Sequence, residues 1–176
     1  MIDARKFNEE IVKPTLAEFD ADFSSLRRAF LAVAVVDALA AQIYAQAVEN
    51  DIDPFEFLGW HKEGKPKNPS DSAFRHRIAE ICTGFQIIRD VAKANKHALL
   101  TLGQPLVKRS DQTVSKAKGY GLGRFGEGRY GGVDQVVVQI FRDEKIHEEI
   151  YLEHQILEAH DTLNGFLDLL VRFIEY

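Results

Sequence analysis

Residues 71–101, DSAFRHRIAEICTGFQIIRDVAKANKHALLT, carry the pattern that decides the fold class. Their apolar side chains recur at steps of four and three, with a final step of seven: Phe74, Ile78, Ile81, Phe85, Ile88, Ala92 and Leu99. This spacing forms one stripe about 100° wide, which is typical of a helix packed in a bundle. We expect one long helix over 71–101, with Ser70 or Asp71 as its N-cap. Gly103 and Pro105 stop it.

Three further segments have helical patterns. The first covers 4–19 and contains Pro14, which lacks an N–H and must start, kink or break the helix. Asp22 is the predicted N-cap of a second, Ala-rich helix that runs from Phe23 to Glu49. The third covers 153–175 and has the stripe Ile156, Ala159, Leu163, Phe166, Leu170 and Phe173.

Two short runs rich in apolar residues precede the last helix, VDQVVVQIF (133–141) and KIHEEIYL (145–152). Because a tight polar connection joins them, they predict a β-hairpin. The glycine-rich stretch 118–132, KGYGLGRFGEGRYGG, predicts a loop rather than a phosphate cradle, since no helix follows it. Residues 106–118 have room for one short strand. The predicted fold is mainly α: a four-helix-bundle-like core with a β-hairpin and Gly-rich loop inserted before the C-terminal helix. It forms a single domain over 1–176, with the insertion at about 104–152.

The cysteine content and hydropathy pattern indicate a soluble protein of the reducing cytoplasm. Cys82 is the only cysteine, which excludes an internal disulfide and a CxxC site. The most apolar run, Ala29 to Ala41, contains Asp37 and is shorter than the roughly 20 residues that cross a bilayer. We therefore expect no membrane segment, and the N-terminus has no secretory signal pattern.

Charge is unevenly distributed along the chain. Residues 60–130 hold 14 basic and 6 acidic side chains, whereas both flanking segments are net acidic. This asymmetry is typical of an anion-binding region and makes nucleic acid a candidate partner of 60–130. Alternatively, the basic segment packs beside the acidic ones and neutralises them.

The sequence predicts no metal and no cofactor. None of the six histidines belongs to an HExxH motif, and Glu144 with His147 forms a lone E-x-x-H. A di-iron bundle needs two such motifs. Asp37 is the unusual polar residue, because it stands within AFLAVAVVDALAA (29–41) and its burial is costly unless it is paired. We expect it at a helix edge or in a salt bridge.

The segment RDVAKANKH, residues 89–97, is the best candidate for a site. At 100° per residue, one polar face beside the apolar stripe contains Lys96, Arg89, Lys93, His97 and Asp90. Arg75 extends this face upstream, and Asn95 lies on the other edge of the stripe. The alternative interpretation is a solvated basic face with no function.

A helical bundle with Arg, a polar residue and a later His in one helix resembles the HEPN superfamily, many of whose members are metal-independent ribonucleases with an R-x4–6-H motif at a dimer interface. This resemblance implies that Arg89 steadies a phosphate, Asp90 is the polar residue after the arginine, and His97 performs acid–base chemistry. Seven residues separate Arg89 from His97, which departs from the family spacing. The segment also looks like the RD-x-x-N-x-x-KH stretches of small uncharacterised bacterial proteins.

Two functions from different classes remain open at this point. The first is a non-catalytic helical module that binds a ligand or partner, with binding residues Lys93, Asn95, Lys96, Arg75 and Asp37. The second is a HEPN-like RNA endonuclease or an inactive nucleic-acid-binding relative, with catalytic residues Arg89, Asp90 and His97. We rank the binding module first, and in both cases expect a homodimer, because bundles with an Ala-rich helix often pack a second copy.

Overall fold

A computed structural model describes residues 3–56, 58–60, 69–97, 99–100, 104–116 and 134–175. The mainly α class is confirmed for these residues, and a small antiparallel sheet precedes the C-terminal helix. In chain order the elements are α1 (Ala4–Phe7), a π-helical turn (Asn8–Val12), α2 (Lys13–Asp20), α3 (Leu26–Glu49), α4 (Asp71–Ile81), α5 (Thr83–His97), a 3-10 turn (Ser110–Gln112), β1 (Thr113–Lys116), β2 (Gln135–Arg142), β3 (Lys145–Tyr151) and α6 (Leu152–Ile174).

The first helical segment is continuous from Ala4 to Asp20 and changes its pitch before Pro14. Pro14 lies in the first turn of α2, directly after the π-helical turn. Proline has no N–H to donate to the preceding helical turn, and the π-helical turn lies directly before the position where that hydrogen bond is missing. The helix predicted over 4–19 is therefore confirmed, and Pro14 starts its second part instead of ending it.

The start of α3 differs from the prediction. Ser25 is its N-cap, and the Ser25 hydroxyl accepts the backbone N–H of Arg28 at 3.3 Å. Asp22 accepts instead from the backbone N–H and the hydroxyl of Ser24. Asp22 thus closes the turn before the helix, and Phe23 belongs to that turn and not to α3.

α3 lies at the centre of the core, where it contacts α5 and α6. Its fully buried apolar side chains include Val33, Val36, Leu39 and Ile43. By length and composition alone, α3 is also apolar enough to cross a membrane, and no other helix of the described part of the chain is. A core helix has the same properties, so the expectation of no membrane segment stays a prediction.

The single helix predicted over 71–101 is wrong, because the chain breaks at Cys82 into α4 and α5. The Cys82 backbone is extended, and its sulfur accepts the N–H of Phe85 at 3.3 Å, which caps α5. Gly84 lies so close to α6 that a Cβ would come within 2.7 Å of the Gln155 carbonyl oxygen. The break allows α5 to pack closely against α6. It also explains why Ile81 of the predicted stripe is exposed.

The sheet has the order β1-β2-β3 and is antiparallel throughout. The predicted hairpin is confirmed, and Asp143 and Glu144 form its tight turn with φ of 48° and 62°. These left-handed conformations are typical of a two-residue hairpin connection. β1 lies within 106–118, where the sequence left room for a short strand. The glycine-rich stretch 118–132 lies outside the described residues.

α6 covers the core and follows the predicted stripe, except that Phe173 at its end is exposed. A buried polar network ties this helix to the N-terminus. The ring Nε2 of His160 lies 2.9 Å from Oδ1 of Asn8, and the Asn8 amide donates to Oδ1 of Asn164 at 2.8 Å. Burial lowers the pKa of His160, so its neutral form is favoured within this network.

Candidate functional site

A cleft of about 750 Å³ opens beside the break between α4 and α5. Its other wall is formed by four residues, Leu99, Leu100, Gln104 and Pro105. The cleft exists because α4 and α5 are two helices that meet at an angle, where one straight helix would present a convex surface. Four of the predicted site residues line it: Arg89, Asp90, Lys93 and His97.

Arg89, Lys93 and His97 stand in a row along α5. Steps of four residues place them on one side of the helix, with neighbouring members one turn apart. Arg89 is buried at the base of the row, Lys93 is half-buried, and His97 is exposed at the end of the helix. The row therefore leads from the protein interior to solvent.

Arg89 is 8% exposed and has no carboxylate partner in the part of the chain that the structure describes. Among the described residues its terminal nitrogens approach two groups, the Ser72 carbonyl oxygen at 3.3 Å and Nδ1 of His76 at 3.4 Å. Its Nε is buried and makes no hydrogen bond. Burial, followed by the nearby charge of Arg75, lowers the pKa of Arg89. The guanidinium thus has unused capacity for an anion.

Asp90 is also buried, and its carboxylate binds the backbone of the opposite wall of the cleft. Its carboxylate accepts the backbone N–H of Leu106 at 2.8 Å, which fixes the segment opposite α5. Burial raises the pKa of Asp90, and the backbone N–H groups of Leu106 and Val107 oppose this effect. The interpretation of residues 89–97 as a fully solvated face therefore fails for Arg89 and Asp90.

Arg75 does not extend the polar face of α5, because the helix break separates the two segments. Its two terminal nitrogens donate to Asp37 at 2.9 Å and to Asp71 at 2.6 Å. Asp37 is 6% exposed, and the salt bridge expected for it is present. Burial raises the pKa of Asp37 although Arg75, Lys96 and Arg89 lower it.

The remaining predicted binding residues lie in a second depression. Asn95 and Lys96 line a groove of about 390 Å³ between α3 and α5, together with Asp37. Both residues are exposed. The eight predicted site residues are thus divided between the cleft, the groove and the ion pairs of Arg75, and only four of them come together.

Sequence reasoning missed several polar residues of the cleft. His76 and Glu80 come from α4, and Thr83 and Gln86 from the start of α5. These positions join the site only because the helix bends at Cys82. The pair Thr83-Gly84, in the middle of an otherwise helical pattern, is the sequence signal that indicates such a break.

Charge neutralisation accounts for part of the basic middle segment. Arg75 pairs with Asp37 from the acidic N-terminal segment, and Lys116 pairs with Glu149 from the acidic C-terminal one. The part of the chain that the structure describes contains no group of three acidic, histidine or cysteine side chains suited to a metal ion. The chemistry of the cleft is therefore that of its side chains: anion pairing, hydrogen bonding, an amine and two imidazoles.

Comparisons of the chain with protein-family models, curated proteins and solved structures found no match. Function is accordingly inferred from the residues of the cleft.

Proposed function

We propose that the protein is a bundle-like helical binding module whose cleft between α4 and α5 holds a small phosphate-bearing ligand on Arg89. One observation carries this proposal: Arg89, only 8% exposed, lines a cleft and forms no ion pair with the described residues. An unpaired buried charge is costly, and an anion in the cleft would remove that cost. Arginine suits phosphate because its planar fork donates two parallel hydrogen bonds.

The surroundings of Arg89 also favour an anion. Lys93 stands one turn along α5 in the same cleft, and His76 and His97 add two imidazoles whose ring N–H groups can donate to an anion. The carboxylate of Asp90 is engaged by backbone N–H groups of the opposite wall. The cleft can therefore supply several donors to phosphate oxygens while its two carboxylates are engaged, Asp90 by the backbone N–H of Leu106 and Glu80 by Arg77.

Phosphate-dependent thermal unfolding tests the proposal. Inorganic phosphate should raise the unfolding midpoint of the wild type beyond the effect of sodium chloride at equal ionic strength, because a ligand that binds only the folded state stabilises it. Arg89→Gln should weaken phosphate binding by at least about tenfold, the loss expected for charge-assisted hydrogen bonds. Arg27→Gln, which changes an exposed arginine of α3 at the other groove, should respond like the wild type.

The proposal fails if phosphate and chloride shift the wild-type midpoint equally. It also fails if Arg89→Gln and Arg27→Gln weaken phosphate binding to the same extent, since a diffuse surface effect would then explain the result. Unfolding without phosphate establishes beforehand that both variants are folded.

A metal-independent RNA endonuclease is the second candidate, because Arg89 and His97 line the same cleft. In the HEPN family such residues meet at a dimer interface, so this function requires a homodimer. Cleavage of total RNA in the presence of EDTA, lost in a folded His97→Ala variant, would support it. No cleavage at micromolar protein, or a monomer in sedimentation analysis, would count against it. Nucleic acid binding and a cytoplasmic location stay predictions under either function.

A further inference from the structure

Lys93 is the amine of the cleft. It lies one turn from Arg89 and one turn from His97, and it is half-buried in the wall of the cleft. No hydrogen bond or ion pair ties its ammonium group to a neighbour in the described part of the chain. The Lys93 side chain is thus held near an anion site while its nitrogen remains uncommitted.

The surroundings of Lys93 favour the neutral amine. Burial, and then the positive charge of Arg89, lower the pKa of Lys93, with Asp90 and Asp37 opposing. A partly desolvated lysine beside a second cation is a recognised nucleophile toward carbonyl compounds. Arg89 lies one helical turn from Lys93 and would hold an anionic group of the ligand. A carbonyl group close to that anionic group in the ligand would then lie next to the Lys93 nitrogen.

We propose that Lys93 captures, as a reversible imine, an aldehyde or ketone whose phosphate group is held by Arg89. This inference rests on the proposed function and specifies its ligand class. The Nζ lone pair attacks the carbonyl carbon, the carbonyl oxygen takes up a proton, and that oxygen leaves as water while a C=N bond forms. One amine and one carbonyl compound yield one imine and one water, so the step requires neither oxidant nor reductant.

Lys96 is the natural internal control. It belongs to the same helix, but it lines the groove between α3 and α5, on another side of α5. It is exposed, so it represents the reactivity of a solvated lysine. If the cleft activates Lys93, then Lys93 must react faster than Lys96.

Pyridoxal 5′-phosphate is a suitable probe because it carries both an aldehyde and a phosphate. The full-length wild type is incubated with the probe, the imine is fixed with borohydride, and the modified lysines are identified by peptide mass spectrometry. We expect the main adduct at Lys93, its loss in Lys93→Met, and its retention in Lys96→Met. Inorganic phosphate should slow modification of Lys93 in the wild type, and pyridoxal without phosphate should react more slowly.

Each outcome separates this inference from the proposed function. Modification spread over exposed lysines, with Lys93 reacting no faster than Lys96, overturns the imine even if phosphate still stabilises the protein through Arg89. Preferential modification of Lys93 that phosphate does not slow overturns the anchoring by Arg89, and with it the proposed function. The competition uses the wild type alone, so it is decisive even if a variant does not fold.

Discussion

Two arginines on adjacent helices illustrate the difference between a structural charge and a functional one. Arg75 of α4 is the more exposed, yet both of its terminal nitrogens are ion-paired, with Asp37 on one side and Asp71 on the other. Arg89 of α5 is more deeply buried, yet its polar contacts among the described residues are two long ones, to the Ser72 carbonyl oxygen and to the ring of His76. Burial alone therefore does not identify a structural ion pair. What distinguishes the two sites, among the described residues, is that carboxylates lie within ion-pair distance of Arg75 but not of Arg89, whose carboxylate neighbours act only from farther away.

The largest expected effect on stability is that of Arg75→Gln, and the comparison with Arg89→Gln tests the contrast between the two sites. Arg75→Gln should lower the free energy of unfolding by about 3 kcal/mol, because it leaves the buried carboxylate of Asp37 without its cation. Arg89→Gln should cost less than about 1 kcal/mol in phosphate-free buffer, since it removes a buried charge that no carboxylate pairs. Urea denaturation of both variants measures the difference.

Arg109→Gln is the control for this comparison, because Arg109 pairs with Asp111 on the surface. It should change stability by under about 0.5 kcal/mol. If Arg89→Gln proves as costly as Arg75→Gln, then Arg89 is a structural residue and the contrast between the two sites is wrong.

A smaller effect is expected at the helix break that separates the two arginines. Gly84→Ala places a methyl group 2.7 Å from the Gln155 carbonyl oxygen, so it should destabilise the protein by about 2 kcal/mol. Gly165→Ala adds the same methyl group to α6 with nothing within 4 Å, and it should gain up to about 1 kcal/mol. Thermal unfolding of the two variants gives opposite shifts. Shifts of the same sign would contradict the close approach of α5 and α6.

The smallest effect concerns the pH dependence of the Arg75 site. Burial raises the pKa of Asp37 above its unfolded value, so the folded protein keeps this proton at pH values where the unfolded chain has released it. The stability of the wild type relative to Asp37→Asn should therefore fall, by about 1 kcal/mol or less, as pH rises from about 4 toward 7. Urea denaturation across this range tests the sign. A relative stability that rises with pH would show that Arg75 outweighs burial.

The sequence predicted most elements because their signals are local. The apolar stripes indicated α3 and α6, and the two short apolar runs around a polar turn indicated the β2–β3 hairpin. The break at Cys82 was missed, since its causes are tertiary: the approach of Gly84 to α6 and the sulfur cap on α5. Helical periodicity continues through such a break.

The candidate site was predicted only in part, because local signals identify residues of one helix but not residues that tertiary packing brings together. Arg89, Asp90, Lys93 and His97 share one segment of one helix, so periodicity grouped them correctly. Arg75 was misplaced because a helical projection assumes one straight helix. The burial of Arg89 was not predictable, since charged residues are expected at the surface unless a partner is known. His76 and Gln86 entered the cleft only through the bend.

The contact between Asn8 and His160 has a consequence for how the protein is made. It joins side chains 152 positions apart, and α6, which carries His160, also covers α3 and α5. During synthesis the apolar face of α3 leaves the ribosome long before the helix that covers it. Because domains fold as units, the core can close only after α6 has been translated. Until then the apolar face of α3 stays exposed on the nascent chain, and exposed apolar surface of this kind promotes aggregation.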